Sequence, residues 1–533
     1  MSGIIPPGDS VLARLDIDPS QIRTISPRWQ RSFYQATVNW LTRYHAAEQA
    51  SYLEQVKGLR QAFQHLCEVE NWAAATQLLT LPLNTPTQEE LDDQLHTWGY
   101  YSEQIALYEP LRGQLDPHWE AMLLNGLGIA HTSLGHYHTA LTYHHQQQAI
   151  AQRLASQPMQ ARCLGNLGVT YHCLGEPAKA VNCYTQQLEI AQTVKNSAAL
   201  VQAIAGLGAC YFQQGELDQA LSCYQQQLAL LRALDDRHGE ARLQNNLGNV
   251  YFAKKEFEPA LQAYETWLNI ARALGDRAGE GRALGNLGNV AYAQGRLAAA
   301  IPLYQQDLEV AQEIGDRRGE SHVLNNLATV YAARQDLTEA EKYAVQHLGL
   351  VRSLGDRPHE QTALTHLGNI HAQSHMRLLA IHCFQAALHL AETLGDAASQ
   401  ADLHDKLAYL SLQKRDFEHA IHHYQQAIAV SEVLDDADLQ GKAWNNLGGT
   451  YLASQQIDEA VECFQQAVVL RQRSGDRDGE AQLWFILGKT FKEQGQTKAA
   501  IAAFQQTRRL FEAAGNLELI SRCDAVLKSL GQG

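Results

Sequence analysis

The stretch NNLGNVYFAKKEFEPALQAY, residues 245–264, contains two amphipathic periods separated by a short polar turn. Apolar side chains recur at helical spacing in its first half, stop at Lys254–Glu256 and restart at Phe257. This pattern predicts a helical hairpin that holds Gly248 and Asn249 inside its first helix, although both are poor helix formers. The two apolar sets are Leu243, Leu247, Val250 and Tyr251, then Phe257, Ala260, Leu261, Tyr264 and Leu268.

The same hairpin recurs every 40 residues. One column holds Gly128, Gly168, Gly208, Gly248, Gly288, Ala328, Gly368, Ala408, Gly448 and Gly488, and a second is alanine in all ten copies from Ala140 to Ala500. Four residues after that alanine stand Tyr184, Tyr224, Tyr264, Tyr304, Phe384, Tyr424, Phe464 and Phe504, with His144 and Ala344 as exceptions. Small residues in the first two columns predict that the two helix backbones approach closely, because a large side chain there would have no space.

A second motif joins consecutive copies. After Leu274 the sequence GDRAGE occupies residues 275–280, and related hexapeptides begin at residues 235, 315, 355 and 475. Glycine readily ends a helix, and an acidic residue is favourable near the N-terminus of the next one. Each copy is therefore expected to run helix, turn, helix, loop.

In these motifs the chain resembles the tetratricopeptide repeat family. The family pattern of L-G-x-x-Y followed by A-x-x-x-F is present as Leu247, Gly248, Tyr251, Ala260 and Tyr264, and again in most other copies. The usual repeat has about 34 residues; the longer copies look similar to those of Pins-type polarity adaptors and of cyanobacterial and other bacterial multi-repeat proteins. The resemblance implies an all-α fold, a right-handed superhelix (α-solenoid) of about ten regular helix-turn-helix repeats with longer helices, whose first helices line a concave groove.

The rest of the chain is expected to close the two ends of this array. Residues 1–30 are predicted to be a flexible N-terminal segment, and residues 31–118 a helical cap made of degenerate repeat-like pairs. The ten repeats then occupy residues 119–514. Residues 515–533 are predicted to form a capping helix and tail, because the last repeat of a stack needs a solvated outer face.

Composition narrows the class of function. The formal net charge of −15 disfavours nonspecific nucleic-acid binding, which depends on Lys and Arg against phosphates. The chain has no apolar run of the roughly 18 residues typical of a membrane-spanning helix, and its start lacks the order of a secretory signal. Cys183, Cys223, Cys383 and Cys463 share one column with Ala263 and Ala503, which indicates small buried side chains rather than ligands. We therefore expect a cytoplasmic protein with no metal or other cofactor and no membrane insertion.

Polar residues form three columns along one side of the first helices. At about 100° per residue, Arg242, Asn246 and Asn249 fall on one stripe, apart from the apolar stripe. The resemblance implies that this stripe faces the groove, where amides can bond a peptide backbone and guanidinium groups can pair with carboxylates. The candidate peptide-binding residues are Arg162, Arg242, Arg282 and Lys442 in the first column, Asn166, Asn246, Asn286, Asn326 and Asn446 in the second, and Asn249, Asn289 and Asn369 in the third.

The alternative is that these asparagines form hydrogen bonds within the array, as a structural ladder that joins one helix to the next. This role is expected above all of Asn245 and Asn325, which lie on a different stripe. No enzyme motif stands out: GNLGN at residue 285 lacks the strand of a dinucleotide loop, and the histidines at 419, 422 and 423 have no matching cluster for zinc. The sequence predicts a non-catalytic scaffold or adaptor that binds an extended, partly acidic segment of a protein partner. The alternative function is a regulatory sensor whose superhelix changes pitch on binding and controls a separate enzyme.

Overall fold

The computed structural model of the chain describes residues 4–47, 50–86, 88–514 and 516–531. In these ranges the only β pairing is an isolated bridge between Pro82 and Glu90. The chain forms two compact units that divide between Ile270 and Ala271. The N-terminal part of the first unit has seven helices: α1 (Gly8–Arg14), α2 (Arg28–Thr42), α3 (Tyr52–Gln55), α4 (Lys57–Glu68), α5 (Trp72–Leu79), α6 (Leu91–Thr97) and α7 (Tyr101–Tyr108). Two 3-10 turns, Ile22–Thr24 and Glu109–Leu111, follow α1 and α7 respectively.

Ten helical hairpins follow, which we number as copies one to ten. Copies one to four are α8 (Pro117–Ser133) with α9 (Tyr137–Arg153), α10 (Gln157–Cys173) with α11 (Pro177–Thr193), α12 (Ser197–Gln213) with α13 (Leu217–Ala233), and α14 (Arg237–Ala253) with α15 (Phe257–Leu274). Copies five to seven are α16 (Arg277–Ala293) with α17 (Leu297–Ile314), α18 (Arg317–Ala333) with α19 (Leu337–Leu354), and α20 (Arg357–Gln373) with α21 (Arg377–Leu394). Copies eight to ten are α22 (Ala397–Gln413) with α23 (Phe417–Val433), α24 (Ala437–Ala453) with α25 (Ile457–Ser474), and α26 (Arg477–Glu493) with α27 (Thr497–Ala514); α28 (Leu517–Ser529) comes last.

The predicted all-α fold of ten regular hairpins is confirmed. First helices start at 40-residue intervals from Pro117, and second helices start at the same interval from Tyr137. Only two or three residues connect one helix to the next. The residues that this repeat has beyond the usual length therefore lie in its helices.

The motif between copies is a helix-start device. In the GDRAGE segment, the Asp276 carboxylate accepts the backbone N–H of Gly279 at 2.8 Å, which satisfies one of the free donors at the start of α16. A Cβ on Gly279 would lie 2.2 Å from the Asp276 Oδ2 atom, so glycine suits this position. Where His359 replaces the glycine, its N–H still donates to Asp356, but at 3.2 Å.

The glutamate of the motif ties each first helix to the preceding copy. The Glu280 side chain is largely buried and accepts from Arg272 Nε at 2.8 Å and also pairs with Arg277. The hydrogen bonds from these arginines hold the pKa of Glu280 below its ordinary value, although burial alone would raise it. Arg232 and Glu240 make the equivalent bond in the first unit at 2.8 Å.

The glycine column packs against the aromatic column of the same hairpin. A Cβ added at Gly288 would lie 2.6 Å from the Tyr304 ring, and one at Gly248 would lie 2.3 Å from the Tyr264 ring. The expectation of backbone against backbone therefore needs correction, because the ring of the second helix occupies the space beside each glycine. Copy six, an exception in the aromatic column, changes both positions together: it has Ala344 in place of the ring and Ala328 in place of the glycine.

Both ends of the chain have buried side chains of their own. In α1 and the turn after it, Val11, Leu12 and Leu15 are nearly inaccessible and belong to the core built on α4 and α5. At the other end, α28 buries Cys523 and Leu527 against copy ten. The domain boundaries proposed from the sequence stay predictions, and residues 1–3, 515, 532 and 533 lie outside the described ranges.

We expect Gly288→Leu to lower the melting temperature, because the new side chain must displace the Tyr304 ring; overpacking of this kind costs roughly 1–3 kcal/mol. Thermal unfolding followed by circular dichroism measures the shift.

The matched control is Gly288→Ala combined with Tyr304→Ala, which reproduces the Ala328 and Ala344 pair of copy six. The double variant should lose less stability than the sum of its two single variants. An unchanged melting curve for Gly288→Leu would contradict the packing role.

Candidate functional site

The first-column cations differ in whether they are already paired. Arg162, Arg242 and Arg282 are exposed, and within the described residues none of them makes an ion pair. By contrast, Arg232 and Arg272, which precede two of the connecting segments, bond the buried Glu240 and Glu280. Lys442 is also engaged, since its Nζ lies 2.8 Å from Asp438 Oδ2. The three column arginines are thus the members of this column with free guanidinium groups.

The second column is partly used inside the array. The Asn166 amide donates to Asn125 Oδ1 at 2.7 Å, and the Asn446 amide donates to Asp405 Oδ1 at 2.9 Å. Each bond reaches 41 residues back, to the first helix of the preceding copy, as the ladder interpretation proposes. The other members, Asn246, Asn286 and Asn326, are half-buried like these two.

In the third polar column, the aromatic residue of the same copy decides whether the asparagine is hydrogen-bonded. Asn249 Oδ1 accepts from the Tyr264 hydroxyl at 2.7 Å, and Asn289 Oδ1 accepts from Tyr304 at 2.8 Å. Asn369 belongs to copy seven, where the ring is Phe384, which has no hydroxyl group to donate. Asn369 therefore keeps its amide for other partners.

A cavity of about 270 Å³ lies beside Asn369, between the first helices α16, α18 and α20 of the second unit. Its apolar wall includes Ala328, Ala332 and Ile370, and its polar lining includes His366. Burial lowers the pKa of His366, which favours the neutral ring that can both donate and accept. The cavity thus combines small apolar side chains with an amide and an imidazole.

A second cavity, of about 220 Å³, places Arg162 opposite an acidic wall. That wall consists of Glu90, Asp92 and Asp93, whose carboxylate oxygens lie within 4.8 Å of one another. Burial, together with the neighbouring Asp93, raises the pKa of Asp92 to about 6. In the described part of the chain, no other three His, Cys, Asp or Glu residues bring ligand atoms this close. In the sequence, the only signal of this wall is the pair of adjacent acids after Leu91.

The histidines noted in the sequence acquire a partner from the neighbouring helix. His423 Nδ1 lies 3.0 Å from Nδ1 of His404, so one ring donates and the other accepts. The pKa of His404 is lowered to about 4 by burial, with His423 and His422 adding to the shift. His419 behaves differently, because its hydrogen bond to Asp416 raises its pKa.

The chain matches the family model described as tetratricopeptide repeat at residues 119–193, 199–273, 279–353 and 439–513, together more than half of its length. No curated protein matches it. The search of solved structures returns the apo form of RapI, with 13% identity, a TM-score of 0.51 and coverage of 67% of this chain and 98% of that one. It also returns BtubC (BKLC) from P. vanneervenii, with 21% identity, a TM-score of 0.37 and coverage of 41% and 92%. A putative kinesin light chain from Podosopora anserina has 19% identity, a TM-score of 0.33 and coverage of 36% and 97%. At this identity the likeness to RapI concerns the fold alone.

Across the described residues, no helix combines the length and the apolar character that crossing a membrane requires.

We expect His404→Leu to reduce the loss of stability on acidification. Because the ordinary histidine pKa is 6.5 and the folded value is about 4, the unfolded chain binds more protons between these values. The contribution of His404 is therefore fully present above pH 6.5 and is lost as the pH falls toward 4. Leucine stands at the same position in copy seven as Leu364, so the variant should fold.

Melting temperatures at pH 7 and pH 5 measure the effect as the difference between variant and wild type. The control is His419→Leu, since a raised pKa has the opposite sign and should leave the acid loss at least as large as in the wild type. Equal acid losses in wild type and His404→Leu would show that the imidazole pair does not titrate in this way.

Proposed function

Since the chain belongs to the tetratricopeptide repeat family, we propose that it is a non-catalytic scaffold that binds an extended, partly acidic segment of a partner protein along the first-helix face. The observation that carries the proposal is the contrast between two sets of arginines. Arg232, Arg237, Arg272 and Arg277, beside two connections between copies, pair with the buried Glu240 and Glu280, whereas Arg162, Arg242 and Arg282 have no acidic partner among the described residues. Guanidinium groups pair well with carboxylates, so an acidic segment is the fitting ligand.

In the second unit, the proposed ligand extends from Arg282 to the cavity beside Asn369. Arg282 lies in the first half of α16, and Tyr292, which lines the cavity, lies near the end of that helix. Ten residues of helix rise about 15 Å, which an extended segment of about five residues spans. A carboxylate at one end and a small apolar side chain at the other would match the two positions, while the Asn369 amide bonds the backbone between them.

The chain itself offers an internal parallel for this mode of binding. The acidic residues Glu90, Asp92 and Asp93 line the same cavity as Arg162 and several residues of the first helix α8. At that end of the array, residues of the chain thus provide negative charge where the proposed ligand would provide it elsewhere. Arg242 and Arg282 have no such wall among the residues that line the described cavities.

Magnitudes favour a long ligand over a small metabolite. A neutral hydrogen bond contributes about 0.5–1.5 kcal/mol net, and one to a charged group about 1.5–3 kcal/mol. Micromolar affinity corresponds to about 8 kcal/mol after the costs of association. Several arginine and amide contacts must therefore act together with an apolar anchor.

We expect a random library of about 15-residue peptides, selected on the whole protein, to be enriched in Asp and Glu. For a selected peptide, Arg282→Glu should weaken binding roughly tenfold or more, because it removes a charge-assisted contact and adds repulsion. Fluorescence anisotropy with the labelled peptide gives the dissociation constants.

The matched control is Arg318→Glu, which makes the same charge change at an exposed arginine outside the three columns. Asn369→Ala should weaken binding without changing its dependence on salt, since the amide carries no charge. Equal losses for the variants at 282 and 318, or selected peptides without acidic residues, would contradict the proposal.

A further inference from the structure

A groove of about 480 Å³ lies on the second unit, between α23 and α25 and over α24. Trp444 and Tyr451 of α24 contribute half-buried rings to it, and α25 contributes Glu459 and Glu462, both exposed. Within the described residues neither glutamate makes an ion pair. The groove therefore presents two aromatic faces beside two unpaired carboxylates, and it is built mainly from second helices rather than from the three polar columns.

Copy six shows the same positions in a neutralised form. Its Tyr331 stands where copy nine has Tyr451, and the Arg334 guanidinium lies 5.1 Å from that ring's centroid. Glu339, the counterpart of Glu459, pairs with Lys342 at 2.8 Å. The same Lys342 lies 5.2 Å from the Tyr343 ring centroid, and Tyr343 stacks on Tyr331 at 5.5 Å. Two cations thus cover the rings and the glutamate of copy six.

Copy two repeats part of this arrangement with a different residue. Lys179, at the position of Glu459, lies 5.4 Å from the ring centroid of Tyr171, the counterpart of Tyr451. A cation thus lies over the tyrosine of this column in copies two and six, although it comes from different positions.

Copy nine has lost each of these cations. Ser454 stands in place of Arg334, Glu462 in place of Lys342, and Glu459 in place of Lys179. Cys463 replaces the stacked Tyr343, which leaves the space beside the Tyr451 ring open. The groove is thus the copy-six arrangement with its positive charges removed and one negative charge added.

From this comparison we propose that the groove of copy nine binds a basic segment of a partner protein, which places a Lys or Arg side chain between Tyr451, Trp444 and the two glutamates. The incoming cation replaces the internal cations of copy six, over the aromatic faces and against the carboxylates. The surface is separate from the acidic-ligand face proposed above, so the two ligands differ in charge and bind different sides of the helices.

The test uses the whole protein and a fluorescein-labelled (Gly-Arg)6 peptide, with (Gly-Glu)6 as the matched probe. We expect saturable binding of the arginine peptide in fluorescence anisotropy and none of the glutamate peptide at the same concentrations. Glu462→Lys, which restores the residue of copy six, should weaken binding at least tenfold. Trp444→Leu, which restores Leu324 of copy six, should also weaken it.

The control for charge is Glu418→Lys, an exposed glutamate near the start of α23 that does not line the groove. It changes the net charge by the same amount as Glu462→Lys and should alter the affinity less than twofold. Circular dichroism melting confirms that each variant folds.

Any of the following results would overturn the proposal: no binding of the arginine peptide to the wild type, equal weakening by the variants at 418 and 462, or unchanged binding with Glu462→Lys. A dimer in sedimentation experiments that Glu462→Lys dissociates would assign the groove to a second copy of the chain and would likewise overturn it. Arg282→Glu, on the other face, should leave binding of the arginine peptide intact, which keeps this test independent of the proposed function.

Discussion

The contact between an aromatic ring of the second helix and a glycine of the first sets the geometry of the hairpins. Eight of the ten copies have both a small residue in the glycine column and an aromatic ring in the aromatic column. In most of them a Cβ on that small residue would overlap the ring. The ring is large and buried, so it supplies much of the apolar contact within a hairpin. Where the ring belongs to a tyrosine of copies four and five, its hydroxyl extends to the polar stripe of the first helix. There it reaches Asn249 and Asn289.

This contact also explains why the third polar column does not act as one surface. Tyrosine in the second helix engages the asparagine of its own copy, whereas phenylalanine leaves Asn369 without that bond. The cavity beside Asn369 includes Ala328 of copy six, the copy that has alanine in place of both the glycine and the ring. A substitution in the glycine or aromatic column therefore changes which polar groups on the first-helix face are free to bind a ligand. The connecting motif has a related effect in copies four and five, where Glu240 and Glu280 pair with Arg232 and Arg272 rather than with the column arginines.

The sequence predicted the fold well because the hairpin pattern recurs in all ten copies and the connecting motif recurs in five of them. Helix starts recur at the same spacing, and the capping aspartate, the glycine and the glutamate of the connection could all be read from one alignment of the chain with itself. The partner of the glycine could not be read in this way, since columns show which residues are small but not what they face. The bonds of Asn166 and Asn446 were also hidden, because each depends on a residue 41 positions earlier, Asn125 or Asp405, in a column that varies between copies. The N-terminal helices lack the repeat, so the burial of Val11 and Leu12 and the acidic wall at residues 90–93 had no internal template.

Comparison of equivalent positions in the ten copies also shows which residues the hairpin requires and which it does not. A position that packing requires is nearly the same in every copy. The alanine column, which runs from Ala140 to Ala500, is an example. The position of Glu459 holds Thr139, Lys179, Pro259 and Leu379 in other copies, so the hairpin does not need an acid there. The position of Glu462 is equally variable, with Asn182, Pro302 and Lys342 among its occupants. Two unpaired carboxylates beside open aromatic rings are not explained by the fold, and a cation from outside the chain is the partner that their chemistry requires.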